Sequence, residues 1–183
     1  MGELTTLISE VRDGSDAALG RLYELLYAEL HRIAHARLRH AEGLTQLQTT
    51  GLVNESYLRL VKLGQLQVDD RAHFLAYAAR TMRSIVVDFA RENMAERRGA
   101  GATHVTLSTT LADSLSVDTS QIVRIHEALE ELGAVEPRMV QVVEMRFFAG
   151  LDEKQIAEAL QVSTRTVERD WDKARAFLFN ALR

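Results

Sequence analysis

Arg165, Thr166, Glu168, Arg169 and Lys173 fall within nine residues near the C-terminus, and each has something to offer a base pair. Arginine grips the two guanine acceptors of the major groove, a threonine methyl meets the thymine methyl, and glutamate accepts from the cytosine amine. Such a set discriminates bases, while Lys173, farther along, suits a phosphate. A second set lies in residues 71–98, where six arginines stand against three acids and Phe74, Tyr77 and Phe89 interleave with Arg80, Arg83, Arg91, Arg97 and Arg98. Rings stack on unpaired bases and arginines hold the backbone, which is the chemistry of single-stranded nucleic-acid binding. Periodicity also places most of those rings on a core-facing stripe, so at this point structure and binding both stay open.

Other pairings lead nowhere comparable. His31 and His35 sit one helical turn apart but find no third ligand of matching placement. Asp69 with Asp70, and Glu130 with Glu131, are sequence neighbours whose carboxylates diverge on a helix. With no cysteine, no phosphate-binding glycine loop and no nucleophile elbow, the expectation is a protein that is not an enzyme and needs no cofactor or metal. Net charge is −4, from 22 Lys and Arg against 26 Asp and Glu, which excludes coating nucleic acid through bulk charge. That charge is segregated, since residues 99–120 contain no Lys or Arg at all.

The elements that must position these side chains read as all-α, two small helical domains joined by a flexible linker, with a C-terminal helix-turn-helix. The expected boundaries are 1–98, a Ser, Thr, Gly and Ala-rich linker at 99–120, and 121–183. Leu19, Leu22, Tyr23, Leu26, Leu30, Ile33 and Leu38 recur at helical steps and predict one apolar helix face. Leu52, Val53, Tyr57, Leu60 and Val61 mark another helix, and Phe74, Tyr77, Ala78, Ile85 and Phe89 a long arginine-rich one. Ile122, Ile125, Leu129 and Leu132 form a stripe ended by Gly133. Pro137 then opens a helix carrying Val140, Val143 and Phe147 to Gly150. Asp152 and Gln155 have capping-box spacing, Gln161 and Val162 make a turn, and Ser163 or Thr164 caps a last helix with Val167, Trp171, Ala174 and Leu178 inward. Glu168, Asp170 and Asp172 temper the positive charge of that helix. No stretch reaches the roughly 20 apolar residues of a membrane span, so a cytoplasmic protein without membrane contact is expected.

With these residues in this order, the chain resembles the bacterial extracytoplasmic-function (ECF) sigma factors over essentially its whole length. The family's promoter-melting segment, Phe, two residues, Trp, Leu, then Ala-Arg-Asn with Asp and Arg following, is matched without a gap by Phe74, Tyr77, Ala78, Met82-Arg83-Ser84, Asp88 and Arg91. Tyr77 stands at the Trp position and Ser84 at the base-capturing Asn position. The stretch GLDEKQIAEALQVSTRTVERDWDKARAFL is similar to the family's −35-reading region. The resemblance implies an alternative sigma factor that binds core RNA polymerase and directs promoter-specific transcription initiation. Tyr77, Arg80, Arg83, Ser84 and Arg91 would serve the −10 element, and Arg165, Thr166, Glu168, Arg169 and Lys173 the −35 element. A regulator using the same helix-turn-helix behind an unrelated sensor domain is the runner-up, and the match from Phe74 to Arg91 tells against it.

The sharpest departure is at the polymerase-binding helix, where Leu52, Val53, Asn54, Glu55 and Tyr57 match the family. The acids that usually precede them, and meet the β′ coiled coil of the polymerase, are replaced by Gln48-Thr49-Thr50-Gly51. A subgroup resembling this chain is associated with Ser/Thr protein kinases. The resemblance therefore implies phosphorylation at Thr50 or Thr49 and a kinase partner, the alternative being that one threonine simply caps the helix. Whether an anti-sigma factor also binds is left open.

Overall fold

The computed structural model describes residues 2–39, 48–99 and 119–183, most of them helical and the rest in turns, bends and irregular connections, with no strand among them. The N-terminal half holds α1 (Glu3–Arg12), α2 (Asp16–Leu25), α3 (Tyr27–Arg39), α4 (Thr49–Leu63) and α5 (Arg71–Gly99). The C-terminal half holds α6 (Thr119–Val135), α7 (Pro137–Val143) running into a π turn (Glu144–Phe148), α8 (Glu153–Ala159) and α9 (Thr164–Ala181). The linker expected at 99–120, with His40 and the side chains of Arg97 and Arg98, lies outside the described residues apart from its helical ends.

The apolar stripe from Leu19 to Leu38 belongs to two helices and not one. The chain bends at Leu26, yet the stripe survives the bend because α2 and α3 feed the same core: Leu19, Leu22, Leu26, Leu30 and Ile33 are all buried. Tyr23 is buried with them, edge-on to Tyr57 and Phe74. The Ser56 hydroxyl donates to the Val53 carbonyl at 2.7 Å. Ser56 has one hydroxyl proton, so Tyr23 is the donor in the 3.0 Å contact between them. Burial pushes the Tyr23 phenol well above its usual range. α4 ends at Gly64, whose φ of 70° and ψ of −107° favour a residue without a Cβ. Asp70 caps α5 through the His73 amide at 2.8 Å, a structural use for one of the paired carboxylates.

In the C-terminal half α6 runs through Gly133 to Val135, so that glycine does not end it. The helix opened by Pro137 changes to π geometry at Glu144, which leaves Phe147 61% exposed instead of inward. Asp152 and Gln155 form the reciprocal capping box, and Ser163, not Thr164, caps α9. Gln161 takes a φ of 53° in the turn between α8 and α9, completing a helix-turn-helix. Val167 and Ala174 are buried, while Trp171 and Leu178 pack at the margin. One continuous apolar cluster contains residues of both halves, with α5 packed on α6 and on the π turn.

Candidate nucleic-acid and polymerase surfaces

α9 offers its N-terminal face to solvent. Arg165, Glu168, Arg169 and Lys173 are exposed and Thr166 is half-exposed, with the Thr166 hydroxyl 2.9 Å from that of Ser163. Asp170 departs from its expected role: it is 1% exposed. Its Oδ2 lies 2.6 Å from Nε of Arg138 on α7 and its Oδ1 3.5 Å from Nε of Arg169. It therefore ties α9 to the scaffold and adds no charge to the outer face.

On α5 the five expected −10 residues divide. Tyr77, Arg80 and Ser84 line one open cleft with Thr81, and α4 contributes Arg59, Lys62 and Leu63 to its other wall. An aromatic ring, three hydroxyls and three cations in one groove fit a stacked base and its phosphates. Arg59 and Lys62 were not legible as site residues, because only the packing of α4 on α5 brings them there; Arg59 is held by Asp88 at 2.8 Å. Arg91 is exposed and faces Glu127 at 3.6 Å. Arg83 points the other way and is buried against Glu144 at 2.7 Å. Phe74 is wholly buried, so the interleaved ring at that position belongs to the core.

The residues expected to bind the polymerase also divide. Leu52 and Val53 are 0% and 2% exposed and anchor α4 to the core, so neither can touch a partner, and Tyr57 is half-buried against Tyr23. Asn54, Glu55 and the exposed Leu58 make up the outward face. Gln48 is the N-cap, its side chain makes no capping hydrogen bond, and the first turn carries no acid. Thr49 and Thr50 are the first two helical residues, half-exposed and exposed, so neither acts as the cap. His31 and His35 join no group of three metal-binding side chains among the described residues.

The chain thus combines a helix-turn-helix, whose last helix presents polar side chains to solvent, with a basic, aromatic cleft between α4 and α5. The chain matches the family described as ECF sigma factor over residues 1–183 and belongs to it. No curated protein matches the chain. Membership makes it a sigma factor, which binds core RNA polymerase and promoter DNA to direct transcription initiation. No helix among the described residues is long and apolar enough to cross a membrane.

Proposed function

We propose that residues 1–98 are the sigma region that binds the polymerase β′ coiled coil and opens the −10 element, that 99–120 link it to 121–183, and that the latter reads the −35 element. Tyr77, Arg80 and Ser84, with Arg59 and Lys62, hold the displaced strand, and Arg165, Thr166, Glu168, Arg169 and Lys173 face the duplex. Engagement of the polymerase is controlled by a Ser/Thr kinase acting at Thr50 or Thr49. The observation that carries this reading is the open first turn of α4, which has neither an acid nor a side-chain cap. A helix start leaves backbone N–H groups unpaired and favours negative charge. One phosphothreonine brings roughly −1.5 to −2 charges, about what two missing carboxylates would supply, and it orders the helix. Ser84, shorter than asparagine, sets an altered −10 preference.

The test is capture of core polymerase by the full chain before and after treatment with a Ser/Thr kinase, using wild type and the Thr49→Ala, Thr50→Ala double variant. Capture that rises on treatment of wild type alone supports the reading. Equal capture by untreated wild type, treated wild type and the double variant overturns phospho-control and leaves core binding to the outer face of α4.

A further inference from the structure

A carboxylate stands on the inner stripe of α9. Asp170 follows the wholly buried Val167 by three residues and precedes the equally buried Ala174 by four, so helical spacing turns it toward the core, where it is 1% exposed. A carboxylate held there needs a cation, because a buried charge left unpaired is strongly destabilising.

Two arginines are within its reach. Arg138, the second residue of α7, donates from Nε to Oδ2 at 2.6 Å. Arg169, the residue before Asp170 on α9, keeps its Nε 3.5 Å from Oδ1, beyond the length of a strong hydrogen bond. Consecutive residues on a helix do not face each other, and the Arg169 side chain stays 57% exposed. Among the described residues no other cation lies within 4 Å of the carboxylate.

The two arginines therefore compete for one buried charge, and Arg138 holds it. If Arg138 lost its guanidinium, Arg169 would be the nearest remaining cation, and rotation of its side chain would close the gap. A guanidinium drawn in against Asp170 no longer offers its two-pronged edge to a base. We propose that Arg138 is a positioning residue for promoter reading: by neutralising Asp170 from α7, it leaves Arg169 directed at the −35 duplex. The proposal rests on the reading of Arg169 as a base-contacting side chain.

The test uses the full chain to select from a pool of short DNA duplexes randomised over their central positions, and sequences the bound fraction. Arg169→Ala identifies the base pair that Arg169 reads, as the position where preference disappears. Arg138→Ala is expected to lower preference at that same position about fivefold or more, while the other positions keep theirs. Combining Arg138→Ala with Asp170→Asn is expected to regain the preference, because a neutral amide has no charge to draw Arg169 inward. A merely structural prop would lose preference at every position, and a second change in the core would not rescue it. Where circular dichroism shows that Arg138→Ala has lost helix, Arg138→Met, which keeps the apolar stem, replaces it alone and in the double variant, with the same outcomes. Preference that persists without Arg138, falls evenly at all positions, or stays lost in the double variant overturns the positioning role. A wild type that enriches no sequence, or an Arg169→Ala protein with unchanged preferences, overturns the reading of Arg169 and the proposal with it.

Discussion

Arg169 and Lys173 lie four residues apart on the same exposed helix, yet their surroundings prepare them for different work. Arg169 has Asp170 beside it, and Asp170 is fixed from below by Arg138, so the guanidinium projects from a tethered stretch of backbone while staying 57% exposed. Fixed geometry suits two-pronged recognition of a base. Lys173 is a flexible point charge farther from the helix start and suits phosphate. Arg169→Ala is expected to cost about 1–3 kcal/mol on −35 duplex and to relax preference at one base pair. Lys173→Ala should weaken all sequences alike and flatten the salt dependence by about one unit of slope. Fluorescence anisotropy over a library randomised at the −35 element separates the two, and a uniform loss for Arg169→Ala would make it a phosphate contact.

At the scale of elements, the helix-turn-helix depends on how α8 begins. Asp152 accepts from the Gln155 amide at 2.9 Å and the Gln155 side chain accepts from the Asp152 amide at 3.0 Å, pairing two N–H groups that a helix start leaves orphaned. Asp152→Ala should lower stability by about 1 kcal/mol, read as a lower urea midpoint with unchanged slope. This cap was legible in the sequence because its partners are three residues apart, as were the start at Pro137 and the long helix α5. The bend at Leu26 was not legible: no glycine or proline marks it, and the apolar period continues across it. Nor was the π turn, whose carboxylate finds Arg83 across 61 residues of chain. A signal for Arg83 did exist, since it sits beside the buried Met82 and three residues before the buried Val86. An arginine on an apolar stripe needs a buried partner, but only the packed halves reveal which. The site divides similarly: the α9 face could be read from local pattern, whereas Arg59 and Lys62 enter the cleft through the packing of α4 on α5.

For the whole molecule, the boundary between the halves carries a proton-sensitive group. Burial and then Arg83 push the His126 imidazole below its ordinary range, with Arg91 adding to the fall and Glu130 and Asp88 opposing it. Its Nδ1 must be unprotonated to accept from Arg83, so protonation both breaks that bond and places two cations together. A histidine whose folded value is depressed contributes stability that is complete above its unfolded value of about 6.5 and is lost as pH falls through the folded value. Glu144 has the opposite sign: burial raises its carboxyl above the usual range, opposed by Arg83 and Arg37, so the packed boundary takes up its proton more readily in acid. Comparing wild type with His126→Gln cancels the Glu144 contribution, because both proteins keep that residue and glutamine still offers Arg83 an acceptor. Between about pH 7.5 and 5.5 the radius of gyration of wild type should increase more than that of His126→Gln, with helix content constant in both. Equal acid responses would remove His126 from the pH dependence of this boundary and leave Glu144 and the apolar contacts to set it.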